Sequence, residues 1–278
     1  MEIMHTIKKN AKYIRIFVQL LIAALYVAPL YIAFTVSFKT PSELAFTGLA
    51  FPETFRITNY TEAMQASNFV NAFKNSFVAS LSAACILMLI CSMASYIITR
   101  NSRSKFYSGL YYFFVAAMVM PFQVVMLPMY TFLRDNGLMN IYGYILTNVG
   151  FQIAYNTFIF CGFIKTVPID VEEAAYIDGA GLFRTYWRIV FPLLKPIILT
   201  AFILNTLSVW NDFALALIIL PTSQRTLPFA QYMFISQKST NIGRAFATFI
   251  VSMIPILLLY FFLQKYIISG ITSGAVKG

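Results

Sequence analysis

The residues that could do chemistry are sparse in this chain, and their spacing argues against most enzymatic sites. His5 is the single histidine, and Cys85, Cys91 and Cys161 lie in apolar runs without C-x-x-C spacing. This pattern predicts neither a metal centre nor a disulfide framework, and we expect no cofactor. The sequence has no G-x-x-x-x-G-K-[ST] segment with which to hold the phosphates of ATP. We therefore do not predict an enzyme.

Polar residues within the apolar runs are the next candidates. Asp212 is the one acidic residue in any such run, and an ionisable group inside a membrane is costly enough to suggest a function. Two roles stay open for Asp212 and its neighbour Asn211: a structural or interfacial role, and a place in a translocation path. The amides of Gln152, Asn156 and Asn205 could line the same path for a polyhydroxylated solute, or could hydrogen-bond between helices.

A long polar interval, VPIDVEEAAYIDGAGLFRTYWRIVFPLLKP, occupies residues 167–196 and is called the elbow below. Asp170 followed three residues later by Glu173 predicts a capping box. Gly179 predicts a helix that ends in the left-handed conformation. We expect two short arms of about 12–15 Å each, with the second stopping before Pro192. The predicted helices are Val171–Asp178 and Leu182–Phe191.

The elbow contains residues at a fixed spacing: Glu173-Ala174-Ala175, then Gly179, then Ile189, then Phe191-Pro192. This spacing resembles the cytoplasmic EAA loop of permease subunits in ABC-type importers, with Phe191 at the position where leucine is usual. The flanking IDGAG and the following Lys195-Pro196 resemble the maltose-importer-like branch, which serves binding-protein-dependent carbohydrate uptake.

The resemblance implies a permease subunit that forms half of a translocation pathway for a sugar or oligosaccharide. It implies as partners a second homologous permease in a heterodimer, two separate ATPase subunits and an extracellular substrate-binding protein. The residues implied to couple to the ATPase are Glu172, Glu173, Ala174, Ala175, Asp178, Gly179, Ile189 and Pro192. The alternative is an ion-gradient-driven secondary transporter, which would predict inverted repeats and several deep charges.

Composition places the chain in a lipid bilayer. Hydrophobic residues make up 59% and charged residues 11%, whereas soluble chains carry about 25% charged residues. The net charge of +10 comes from basic residues scattered singly, without the cluster that nucleic-acid binding needs. We therefore interpret the charge as a topology signal and predict no nucleic-acid partner.

The apolar runs predict an all-α integral membrane protein. We expect one permease domain over residues 1–278, with a family-like core at about 68–270. Six transmembrane helices are predicted, with the elbow as a cytoplasmic helix–Gly–helix coupling loop between the fourth and fifth. Pro121 and Pro128 in the third run predict either a simple kink or a gating hinge. The predicted runs are 16–38, 72–99, 106–133, 141–164, 197–220 and 244–266.

Basic residues predict the orientation. Of the 20 lysines and arginines, 13 fall on the side of the elbow and 7 on the other side. The positive-inside rule then places both termini in the cytoplasm of a bacterial or archaeal plasma (inner) membrane. Residues 38–71 would lie outside, with a short helix at 59–65. The tail, 270–278, resembles a Val-Lys-Gly terminus that reaches the ATPase interface; an ordinary frayed end is the alternative.

Overall fold

The computed structural model describes residues 2–236 and 242–275. Within these ranges the regular elements are all helical, which confirms the all-α prediction. Contacts divide the chain into two units. The first holds the residues up to Phe69 together with Gln231–Ile254, and the second holds Val70–Ala230 together with the residues from Pro255 onward. The single permease domain over residues 1–278 stays a prediction.

The first unit begins with a long helix. Helix α1 spans Glu2–Ser37 and starts well before the predicted residue 16, because the basic N-terminal segment is helical as well. Helix α2 spans Pro41–Thr47. Helix α3, Thr58–Ala66, confirms the short helix expected at 59–65.

A buried lysine organises the loop between α1 and α3. Lys39 is 1% exposed, and its ammonium group donates to Thr47 Oγ1 and to the carbonyl of Gly48, both at 2.9 Å. A cation is favourable there because these groups end α2. Asn59 of α3 donates to the carbonyls of Ser37 and Lys39 at 2.9 and 3.0 Å. These bonds fasten both ends of the loop.

The second unit contains helix α4, Phe69–Arg100, from its second residue onward, and helix α5, Lys105–Ala117. Helix α6, Phe122–Asp135, follows α5 after a bend of 100°. The single third helix predicted at 106–133 is therefore wrong. Pro121 explains the break, because proline has no N–H to donate and disfavours a helical residue before it. Pro128, by contrast, lies inside α6.

Helix α7, Ile141–Ile164, has the predicted bounds. The later helices are α8 Asp170–Ile177, α9 Leu182–Thr185, α10 Phe191–Leu193, α11 Lys195–Trp210, α12 Ala214–Ile219, α13 Leu227–Ser236 and α14 Ile242–Ala275. The predicted fifth run splits at residues 211–213, and α13 lies between the predicted fifth and sixth runs. The predicted tail begins inside α14, and its last residues, 276–278, lie outside the described residues.

Membrane-spanning candidates can be counted within the described ranges. Lys12–Ser37, Phe69–Arg100 and Ile242–Phe262 are long and apolar enough to cross a bilayer. The count reaches 5 if each of two bent pairs, α5 with α6 and the second elbow arm with α11, is one span. Helix α7 falls outside this set, because its asparagines and glutamine lower its mean hydropathy. Six spans, with α7 as one of them, stay a prediction.

Helix α7 is the centre of the second unit, where it packs against α5, α11 and α12. The loop after α12 is tied to the start of α7, since the Gln224 side chain accepts from the N–H of Ile141 at 2.8 Å. The same loop is tied to α4: Asn75 donates to the carbonyl of Arg225 at 3.1 Å, and Ser76 Oγ accepts from the N–H of Leu227 at 2.9 Å. The loop is thus fixed to two helices.

Candidate functional site: the elbow

The first arm of the elbow is α8. It starts one residue earlier than predicted, and no side chain caps it, so the predicted capping box is wrong. The reason is that Ile169 already has helical dihedral angles. Its carbonyl accepts from the N–H groups of Glu172 and Glu173 at 2.8 and 3.0 Å. The acidic first turn still favours the helix, because its charges face the positive end of the helix dipole.

Gly179 ends the first arm, as the sequence predicts. Its φ is +80°, a left-handed value that side chains other than glycine adopt at a cost. The N–H of Ala180 donates to the carbonyl of Ala175 at 2.9 Å, and the N–H of Gly179 donates to that of Tyr176 at 3.0 Å. This pair of bonds is a Schellman motif. It fixes the angle at which the chain leaves α8.

The second arm is α9 followed by one π-helical turn, Tyr186–Val190, and then α10. It therefore does not stop before Pro192 as predicted. Pro192 directly follows the π-helical turn within the helical stretch Leu182–Leu193, so its missing N–H falls inside the arm rather than at a helix start. Turns of the π type are frequent at functional sites.

Tyr186 holds the second arm against α4. Its hydroxyl and the Ser92 hydroxyl are 2.7 Å apart, and both are buried. Its ring also packs against other aromatic rings, with centroid distances of 5.1 Å to Trp187, 6.0 Å to Phe191 and 5.4 Å to Tyr96. The hydrogen bond to Ser92 and the tilted ring contact with Tyr96 thus hold the arm against α4.

Glu172 holds the first arm against the same helix. Its carboxylate accepts from the Tyr96 hydroxyl and from Arg100 Nε, both at 2.9 Å, and from Arg100 Nη2. Arg100 also donates to the carbonyl of Val167 at 3.0 Å. Glu172 is only 3% exposed. Because both carboxylate oxygens accept hydrogen bonds from α4, Glu172 holds the first arm against that helix.

The other predicted coupling residues divide by exposure. Glu173, Ala174, Asp178, Gly179 and Pro192 are exposed, Ile189 is half-buried and Ala175 is buried. Two further residues belong to the exposed surface of the elbow. Ile177 is 87% exposed and Phe183 is 69% exposed. Ile177 was not among the predicted coupling residues, although an isoleucine in a polar loop was a signal for a contact surface.

A cleft of about 380 Å³ lies between the two arms. Ala174 and Ala180 contribute small side chains to its lining, and Asp178, Arg184 and Arg188 contribute charges. Such a cleft can receive a side chain from another protein, with two guanidinium groups and one carboxylate available for pairing.

The candidate path residues are only partly brought together. Asn156 and Asn205 are buried and bond to each other across α7 and α11. Gln152 is half-buried and bonds to the carbonyl of Asn148 on its own helix, at 3.3 Å. The structure therefore pairs two of these amides and leaves the third outside the pair.

Asn211 and Asp212 lie in the break between α11 and α12. Asn211 is exposed and donates to the carbonyl of Leu207 at 2.9 Å. The Asp212 carboxylate accepts from the N–H of Leu215, in the first turn of α12, at a long 3.4 Å. This contact fits the structural alternative for Asp212. Within the described residues, no three His, Cys, Asp or Glu side chains gather as a metal site would require.

The comparison with known proteins decides the family. Residues 92–273, which include the elbow and both helices that flank it, match the family described as binding-protein-dependent transport system inner membrane component. The chain belongs to this family. It is therefore an integral permease of an inner membrane rather than an enzyme, and a gradient-driven secondary transporter is not favoured.

Similar permeases extend over nearly the whole chain. The probable starch degradation products permease AmyC of Thermoanaerobacterium thermosulfurigenes is 34% identical over 96% of this chain and 97% of its own length. The multiple sugar-binding transport system permease MsmG of Streptococcus mutans is 37% identical, covering 91% and 92%. The melibiose/raffinose/stachyose import permease MelC of Bacillus subtilis is 32% identical, covering 93% and 94%.

Solved structures share the permease fold. A bacterial ABC transporter that imports the acidic polysaccharide alginate matches with a TM-score of 0.79 at 21% identity, over 93% of this chain and 96% of that one. A bacterial alginate ABC transporter in complex with an alginate pentasaccharide-bound periplasmic protein matches with a TM-score of 0.70 at 13% identity, over 93% and 95%. At these identities the likeness shows the fold alone.

Proposed function

We propose that this permease imports a sugar or an oligosaccharide. The proposal rests on its relatives, because the names of AmyC, MsmG and MelC all refer to sugars or to starch degradation products. A second homologous permease would supply the other half of the pathway, and an extracellular binding protein would deliver the solute. The chain would cross the membrane six times, with both termini in the cytoplasm.

We further propose that the elbow couples this permease to two separate ATPase subunits. The observation that carries this proposal is the division of the elbow into a fastened part and a free part. Glu172 and Tyr186 are buried against α4, whereas Ile177 and Phe183 are exposed. Exposed apolar anchors on a rigid support are the usual energetic centre of a protein interface.

The coupling proposal is tested with a charge at the free tip of the elbow. The variant Ile177→Glu is expected to reach the membrane and to lose at least ten-fold in co-purification with the ATPase subunits. The variant Phe46→Glu is the matched control, because Phe46 is 91% exposed and lies in α2, away from the elbow in sequence. Equal recovery of the ATPase with both variants would contradict the proposed coupling role.

The substrate proposal is tested by uptake. The complete operon is expressed in a strain that lacks its own oligosaccharide importers, and the uptake of labelled maltotriose, raffinose and melibiose is measured. We expect ATP-dependent uptake of at least one of these sugars. The other two should compete with its uptake more strongly the more closely they resemble it. Uptake of amino acids or peptides with no sugar uptake would refute the carbohydrate assignment.

A further inference from the structure

Three side chains that hydrogen-bond to the elbow lie on one face of one helix. Ser92, Tyr96 and Arg100 follow one another at intervals of four residues along α4, so they lie on the same face. We call these three residues the α4 stripe. Its members contact the second arm, the first arm and the linker before the first arm.

We propose that α4 is the helix through which movement of the elbow enters the membrane part of the permease, and that the α4 stripe is the joint. The proposal rests on the coupling function proposed above. It assigns Glu172 to the joint rather than to the ATPase interface. It leaves the exposed Glu173, the next residue, to face the ATPase.

The strength of the joint follows from its burial. The side chains of Arg100 and Glu172 are 16% and 4% exposed. Separating them would leave a guanidinium group and a carboxylate without partners in a medium of low dielectric constant, which is far more costly than for an exposed pair. When the elbow is displaced, the lower-energy response is that α4 moves with it.

The two arms also support each other through the α4 stripe. Tyr96 bonds to Glu172 of the first arm, and its ring lies against that of Tyr186 in the second arm. A displacement of either arm therefore presses on the same tyrosine. The chain connections to α7 and α11 lack this arrangement, because each of those helices is joined to only one arm.

A spin label on α4 tests the proposal. Cys85, Cys91 and Cys161 are replaced by alanine, and a single cysteine replaces Leu89, whose side chain is 46% exposed. The label spectrum is recorded in the assembled transporter, purified with its ATPase subunits, without nucleotide and after trapping with ATP and vanadate. With the α4 stripe intact, we expect trapping to change the spectrum.

Two variants break the joint. Arg100→Gln is expected to reduce the nucleotide-dependent spectral change at least five-fold while the ATPase still co-purifies and still traps nucleotide. Tyr96→Phe removes one hydrogen bond and keeps the packed ring. It is expected to reduce the spectral change about two-fold, and it replaces Arg100→Gln as the test if that variant does not accumulate. Arg134→Gln is the control, because Arg134 belongs to an exposed ion pair with Asp135 and should leave the response intact.

The outcomes separate the joint from a merely structural role. Loss of folding would lower the yield or alter the spectrum without nucleotide, whereas the proposal requires selective loss of the nucleotide response. An unchanged response in Arg100→Gln and Tyr96→Phe, with the ATPase bound, would overturn the joint and leave the coupling role standing. Failure of the unmodified elbow to retain the ATPase would instead overturn the coupling role, and the joint with it.

Discussion

Asn156 of α7 and Asn205 of α11 present their amides edge to edge, and each donates one hydrogen bond to the other, at 2.9 and 2.7 Å. The remaining hydrogen of each amide goes to a carbonyl four residues earlier on its own helix. Both amide groups are therefore satisfied by the protein. A solute could bind either of them only after this pair had opened.

The pair predicts a non-additive effect on stability. Asn205→Leu alone should destabilise the permease by about 1–2 kcal/mol, because it leaves the buried amide of Asn156 short of a partner. The double variant Asn156→Leu/Asn205→Leu should recover most of that loss, since no amide is left unpaired. Thermal unfolding in detergent measures the stability of the single and the double variant. If the double variant is stable but sugar uptake collapses, these residues belong to the translocation path.

The two glycines of the elbow predict different responses to the same change. Gly179→Ala should destabilise the elbow by about 1–2 kcal/mol, because an alanine there must adopt a left-handed conformation. Gly181 has an ordinary φ of −75°, and an added Cβ meets no atom within 4 Å at either position. Gly181→Ala is thus the matched control. Uptake and ATPase recovery should fall for Gly179→Ala only; equal loss would exclude backbone conformation as the cause.

Gly143 at the start of α7 should be intolerant of any side chain. A Cβ added there would lie 1.9 Å from the carbonyl oxygen of Leu138, so the backbone of the preceding turn would have to move. Gly143→Ala should therefore cost about 1–3 kcal/mol or prevent folding. Gly150 on the same helix has open space around its Cβ position. Gly150→Ala should keep the melting temperature, and a similar fall for both would contradict the prediction.

Cysteine labelling checks the orientation. Thr54 and Ser102 are both exposed, so a difference in their reactivity reports the side of the membrane rather than burial. In a cysteine-free background, Thr54→Cys should react with an impermeant maleimide in intact cells, and Ser102→Cys only after the cells are opened. The reverse pattern would move the elbow to the outside, where no ATPase could reach it.

Local signals predicted the end of the first elbow arm and the bounds of α7, but not the start of the first arm or the end of the second. The left-handed Gly179 and the bounds of α7 follow from residues close in sequence, such as Asn140, whose side chain accepts from the N–H groups of Tyr142 and Gly143 at the start of α7. Turn and cap chemistry acts over a few residues, so it can be read directly. The π-helical turn could not be predicted in this way; its Tyr186 contacts Ser92 and Tyr96, which are distant in sequence.

The fastening of the elbow could not be predicted in the same way. Arg100 and Glu172 are 72 residues apart in sequence, and a basic residue at the end of an apolar run is equally expected from topology alone. The spacing of Ser92, Tyr96 and Arg100 was the one available signal. The sharp bend at Pro121 was underestimated for a related reason: proline predicts a break, but not the 100° angle, and α5 contacts α7 whereas α6 contacts α12, both distant in sequence.

The burial of Lys39 has a practical consequence for work on intact membranes. Trypsin and amine-reactive reagents need access to the side chain and the neighbouring backbone, and the Lys39 ammonium is enclosed by the end of α2. Arg56, further along the same loop, is exposed. Digestion of the native permease should therefore cut after Arg56 and spare Lys39, so that a cut or an acetyl group at Lys39 marks molecules whose loop has come apart.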